Sequence, residues 1–98
     1  MVIKKTDTYK SELKIILENI AKDKISAMLN FRKDLNIQIK SISNMPKKYR
    51  KSYYFDNENI RDMIFKGYTV IYEIEENSLE IYTIFNQNLP ILEKMEKS

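Results

Sequence analysis

Apolar side chains recur along this chain first with a helical period and then with a period of two. Leu13, Ile16, Leu17, Ile20 and Ala21 fall at the i, i+3, i+4, i+7 and i+8 positions of one amphipathic stripe. Asp7 or Thr8 stands where a helix N-cap is wanted. Asp23 is placed to cap a second helix, in which Met28, Phe31, Leu35, Ile39 and Ile42 recur every three or four residues. That helix is expected to run to about Ser43, because Pro46 prevents its continuation. A residue or two between the helices predicts an antiparallel hairpin. Each helix carries a single apolar stripe, so a third layer must cover them.

The second half supplies that layer. Lys51–Phe55 reads as an aromatic-rich strand, Asp56–Asn59 as a turn and Ile60–Phe65 as another strand. Lys66-Gly67 holds the only glycine of the chain, where a tight hairpin requires positive φ. In Tyr68–Glu75, Tyr68, Val70, Tyr72 and Ile74 share one face, and Thr69, Ile71, Glu73 and Glu75 the other. After a turn at Glu76–Ser78, Leu79, Ile81, Thr83 and Phe85 alternate with Glu80, Tyr82, Ile84 and Asn86. Val2–Lys5 adds a candidate edge strand, and Ile91, Leu92 and Met95 after Pro90 a short amphipathic turn. The expected fold is α+β in one domain, residues 1–98. An N-terminal antiparallel helical hairpin (about 7–43) packs on a mainly antiparallel four- to five-stranded sheet (about 51–86), followed by a tail, 87–98.

Composition narrows the chemistry. The chain has no Cys and no His, so it forms no disulfide, no thiolate zinc site and no imidazole base. No cofactor and no metal are expected. No apolar run approaches the about 18 residues of a membrane span, and no leader pattern stands at the N-terminus. A soluble, cytoplasmic protein without membrane contact is expected. Charge is divided unevenly: Met1–Ser52 carries thirteen Lys/Arg against five Asp/Glu, and Tyr53–Ser98 four against nine. Such asymmetry points to a charged partner, although lysines on the wet faces of helices give the same count. The basic residues peak in the connector P-K-K-Y-R-K-S-Y-Y-F, where Lys47, Lys48, Arg50 and Lys51 are candidate target-binding residues. The alternative is a solvated loop that keeps the following strand from aggregating.

The order of these patterns resembles the RelE/ParE superfamily of bacterial type II toxins. The resemblance is carried by L-x-x-I-x-x-x-I-A in the first helix (Leu13, Ile16, Ile20, Ala21) and by Ala27, Phe31, Leu35 and Ile39 in the second. It continues through Pro46 and Arg50, an Arg opening a strand (Arg61), and G-Y-x-V-I-Y from Gly67 to Tyr72. It covers roughly residues 9–86.

The resemblance implies one of two activities. The RelE branch is a ribosome-dependent mRNA endonuclease, in which Lys and Arg hold the scissile phosphate and a C-terminal Tyr or His moves a proton. Such chemistry needs a proton acceptor, a proton donor and cations on the developing charge. In many members a His and basic residues close the last strand, but here Asn86, Gln87 and Asn88 stand there, and no Lys or Arg lies between Gly67 and Glu93. Arg61 and Tyr82 remain as catalytic candidates for that branch. Tyr82 is otherwise a sheet aromatic pairing with Tyr72 or a neighbour, and Arg61 otherwise an ion-pair partner of Asp62 or Asp56. The ParE branch poisons DNA gyrase by a protein–protein contact and needs no acid–base pair. The incomplete catalytic set favours ParE, and leans away from an enzyme. Arg61 then joins the four connector cations as a target-binding candidate. The resemblance further implies a cognate antitoxin with an acidic, partly disordered tail.

Overall fold

The computed structural model describes residues 1–86. Strand β1 (Val2–Lys5) leads into helices α1 (Asp7–Asp23) and α2 (Ile25–Ile42), then β2 (Arg50–Lys51), β3 (Ile60–Phe65), β4 (Tyr68–Ile74) and β5 (Ser78–Asn86). The strands form one sheet in the order β1-β5-β4-β3-β2, antiparallel except where β1 runs parallel to β5. The α+β architecture, the helical hairpin and the edge strand match the sequence reading.

Several boundaries differ for identifiable reasons. Thr6, not Asp7 or Thr8, caps α1: its Oγ1 accepts the Tyr9 N–H at 3.0 Å. Asp23 caps nothing and is the last residue of α1. The whole interhelical turn is Lys24, in extended conformation (φ −159°), whose N–H donates to the Ile20 carbonyl and whose carbonyl accepts from Met28. The strand expected over Lys51–Phe55 shrinks to Arg50–Lys51. Beyond it, side chains take the backbone donors a ladder would use. The Tyr53 N–H donates to Asp62 Oδ2 at 3.1 Å and the Tyr54 N–H to Ser52 Oγ at 3.2 Å. The β3–β4 hairpin turns as expected, with Lys66 at φ 47° and Gly67 at φ 85°. The amphipathic turn expected after Pro90 lies outside the described residues.

The core lies between the hairpin and one face of the sheet. Tyr9, Phe31, Leu35, Ile39 and Ile42 meet Met63, Phe65, Val70, Tyr72, Leu79, Ile81 and Ile84. Burial of each such side chain contributes roughly 1.5–3 kcal/mol. The opposite face carries a smaller cluster of Ile60, Ile71 and Phe85, covered in part by Tyr54 and Tyr82. The alternation expected along β5 fails at one point. The register of β4 and β5 slips between Ile71 and Tyr72, which pair with Thr83 and Ile81 and leave Tyr82 as the extra residue. Ile84 therefore turns into the main core and Phe85 into the other cluster, the reverse of strict alternation. Helix α1 stabilises the bulge. Thr6 Oγ1 donates to the Tyr82 carbonyl at 2.7 Å, and Glu12 Oε1 accepts from the Ile84 N–H at 3.1 Å and from Thr83 Oγ1.

Candidate functional site

The basic connector between α2 and β3 is held against the sheet by three buried side chains. Tyr72, on β4, donates its phenol to the Pro46 carbonyl at 2.6 Å. Arg61, on β3, donates Nη1 to the Tyr49 carbonyl at 3.1 Å and Nε to the Glu58 carbonyl at 2.8 Å. Asp62, its neighbour on β3, accepts the Tyr53 N–H and lies 3.5 Å from the Arg50 guanidinium. Because strand neighbours point to opposite faces, Arg61 and Asp62 grip the connector from both sides of the sheet. Tyr49 adds an edge-on contact to Tyr72, centroids 6.4 Å apart.

Pinned in this way, the connector presents its cations outward. Lys47, Lys48, Arg50 and Lys51 are all exposed. Lys48 lies over the Tyr49 ring, and the Arg50 guanidinium stacks on Tyr53 at 3.9 Å from its centroid. Tyr53 itself is 76% exposed and Phe55 is exposed beside it. Lys51 pairs with Asp56 at 3.0 Å, a surface bridge worth roughly 0–1 kcal/mol. This is a surface of cations and aromatic faces on a fixed backbone, suited to an acidic protein surface or a polyanion.

Arg61 stands apart from these four. It is 8% exposed, with its guanidinium turned to the two connector carbonyls. The ion pair expected with Asp62 or Asp56 does not form. Among the described residues, Asp62 pairs with Arg50, Asp56 with Lys51, and Arg61 with Glu58 alone, at 3.5 Å.

Tyr82 lies on the other face of the sheet. Arg61 pairs in register with Tyr72, whose ring is in the main core, whereas Tyr82 packs on the Ile60–Ile71–Phe85 cluster. The Tyr82 phenol donates to Glu73. That bond to a carboxylate, followed by burial and the nearby charges of Glu73, Glu80 and Glu75, raises its pKa well above the ordinary phenol value. The aromatic pairing expected for Tyr82 with Tyr72 is ruled out by the sheet between them. Burial likewise raises the Tyr72 phenol, partly offset by the charge of Arg61. Tyr82 and Arg61, the two catalytic candidates of the cleaving branch, are thus separated by the sheet and each is engaged internally.

The sequence does not mark two of the anchoring residues as anchors, and offers Asp62 only as an ion-pair partner for Arg61. Asp62 was visible as a carboxylate inside the otherwise apolar I-R-D-M-I-F, a strand position that demands a partner. Tyr72 read only as a core aromatic, and nothing local marked its hydroxyl as the anchor of Pro46.

A second feature lies between the helices. Leu13, Leu17, Ala21 and Met28 line a groove of about 520 Å³ whose charged lining is Lys5, Lys10, Lys14 and Arg32 with Glu18. Among the described residues, no group of three or more carboxylates is placed to hold a metal ion, and no helix is long and apolar enough to cross a membrane.

Comparison with known proteins agrees with this architecture. No curated protein matches the chain in sequence. A solved chain from the chromosomal ParDE toxin–antitoxin system of P. aeruginosa superposes with a TM-score of 0.70. The match covers 88% of this chain and 95% of that one at 13% identity, a likeness of fold. The family model described as the ParE toxin of the type II toxin–antitoxin system parDE matches residues 3–88. The chain, which keeps that fold from β1 through β5, therefore belongs to the ParE family of type II toxins.

Proposed function

We propose that this toxin arrests growth by binding a macromolecular target rather than by cutting RNA, with DNA gyrase the first target to test. One observation carries the choice: Arg61 and Tyr82 lie on opposite faces of the sheet and are each engaged internally. Two such groups cannot converge on a single phosphodiester. A phenol whose pKa is raised is also a poor proton acceptor at neutral pH. Lys47, Lys48, Arg50 and Lys51, on a connector pinned in place, are the residues proposed to meet the target. Arg61 acts beneath them as their support.

A cognate antitoxin with an acidic, partly disordered segment is the proposed inhibitor, and the toxin is proposed to act in the cytoplasm. The groove between α1 and α2 supports the antitoxin reading, since its apolar side chains and its four cations, Lys5, Lys10, Lys14 and Arg32, against the one carboxylate of Glu18, complement an acidic amphipathic segment.

The test adds purified toxin to a gyrase supercoiling reaction and, separately, to a translating extract. Loss of supercoiling with intact messenger RNA is expected. Codon-positioned cuts in the RNA would overturn the binding mechanism. Reversing the charge of Lys47, Lys48 and Lys51 together is expected to abolish the effect on the target and leave the fold unchanged by circular dichroism.

A further inference from the structure

Strand β1 pairs with β5 only over Ser78–Ile81. Past Ile81 two side chains from the start of the chain take over that edge of β5. Thr6 donates its N–H to the Ile81 carbonyl at 3.1 Å and its Oγ1 to the Tyr82 carbonyl at 2.7 Å. Glu12, half-buried on α1, accepts the Ile84 N–H at 3.1 Å and the Thr83 hydroxyl, both through Oε1. The Glu12 bonds suit only the bulged register. Backbone polar groups alternate between the two edges of a strand, and the Ile81 carbonyl faces the β1 side. Without Tyr82 as an extra residue, the Ile84 N–H would turn toward β4 and away from the carboxylate.

The register chosen at Glu12 is felt on the far side of the sheet. The bulge sends Ile84 into the main core and Phe85 to the other face. There the Phe85 ring meets Tyr54 edge-on, with centroids 5.7 Å apart. Tyr54 belongs to the end of the basic connector. Its N–H donates to Ser52 Oγ, and its neighbour Tyr53 holds Asp62 through its own N–H and carries the Arg50 guanidinium on its ring.

From these observations we infer that Glu12 is a positioning residue for the connector. By accepting the Ile84 N–H it keeps β5 in the bulged register, which sets Phe85 against Tyr54 and so steadies the display of Tyr53 and Arg50. The importance of this for function rests on the connector being the target surface. The coupling itself is measured with no target present, so its failure and the failure of that reading are separate results.

The test compares the full chain with Glu12→Ala and Glu12→Gln by nuclear magnetic resonance. In the parent, a cross-peak between the Tyr54 and Phe85 rings is expected. Glu12→Ala should lose it, and the Tyr53 and Tyr54 amides should exchange roughly tenfold faster or more, the factor set by one hydrogen bond to a charged group. Amides of Phe31 and Leu35 in α2 should change far less. Glu12→Gln should recover most of the parent behaviour, because its amide oxygen can accept the same two bonds. Ile39→Val, a core change at a buried site, serves as the control for general loss of stability and should keep the cross-peak. Thr83→Val deletes one of the two bonds to Glu12 and keeps a branched strand residue. It should give a smaller change in the same direction, and it carries the test should Glu12→Ala not fold. A folded Glu12→Ala protein that keeps the cross-peak and the parent exchange rates would overturn the inference. So would acceleration spread evenly over α2 and the connector, as in the Ile39→Val control, a Glu12→Gln protein as altered as Glu12→Ala, or an unchanged connector in Thr83→Val.

Discussion

Arg61→Ala tests whether the guanidinium supports the connector or serves a partner. The substitution removes charge-assisted bonds to the Glu58 carbonyl at 2.8 Å and the Tyr49 carbonyl at 3.1 Å. Each such bond contributes roughly 1.5–3 kcal/mol. Glu58 lies at an exposed turn, where water can replace the lost donor, whereas Tyr49 is half-buried against Tyr72. The Arg61–Glu58 bridge, at 3.5 Å with the carboxylate 75% exposed, adds almost nothing. Taking the Tyr49 bond in full and the Glu58 bond at about half gives a loss of roughly 2–4 kcal/mol. For a domain of this size that lowers the melting temperature by roughly 10–20 °C. Thermal unfolding followed by circular dichroism measures it, and amide exchange at Lys48–Tyr53 should quicken together with it. Arg61→Lys should recover only part of the loss, because an ammonium cannot present a planar fork to two carbonyls. A variant that melts within about 3 °C of the parent, yet no longer acts on its target, would refute the supporting role. It would return Arg61 to the set of contact residues.

The remaining predictions concern buried polar groups and pH. Tyr9 is 1% exposed and its hydroxyl has no hydrogen-bond partner among the described residues, so Tyr9→Phe should leave the urea midpoint unchanged or raise it. Tyr72→Phe removes the bond to Pro46 and should cost about 1 kcal/mol in the same assay. Asp62→Ala deletes a carboxylate that is 1% exposed and holds both Arg50 and the Tyr53 N–H, and a loss of roughly 2–3 kcal/mol is expected. In alkaline titration followed by phenolate absorbance, burial places Tyr9 at about 12, and Tyr72 and Tyr82 are also raised. Their contribution to stability is complete below the ordinary phenol pKa of about 10 and is lost as pH rises toward the folded values. All seven tyrosines ionising together near that ordinary value, in a protein still native by circular dichroism, would contradict this assignment. At the β1 edge, bonds from Lys4 and Ser78 hold the Glu75 carboxyl below its usual value, and Glu75 raises Lys4. The Glu75 contribution is present above the unfolded carboxyl pKa and disappears as pH falls through the folded one. Glu75→Gln should therefore flatten the acid limb of stability slightly, and only at low salt.

The helical stripes, the β3–β4 hairpin at Lys66-Gly67 and the α+β class were legible because each depends on neighbours a few residues apart. Leu35, Ile39 and Ile42 enter the core as their spacing requires, and β4 keeps the two faces its alternation assigns. The family was legible in the order of these local patterns. What tertiary structure alone decided depends on atoms distant in the chain. The bulge at Tyr82 exists because Thr6 and Glu12, more than seventy residues earlier, take the groups that the β4 ladder releases. It exchanges the faces of Ile84 and Phe85, which no two-residue period can foresee. By sequence alone the connector is equally a binding surface and a solvated charged stretch. Its fixed geometry comes from Tyr72, Arg61 and Asp62 on strands that follow it. Periodicity shows which side chains are to be buried. Which carbonyl a buried guanidinium or phenol will find is settled only when the strands have paired, because leaving such a group without a partner costs more than any local preference can supply.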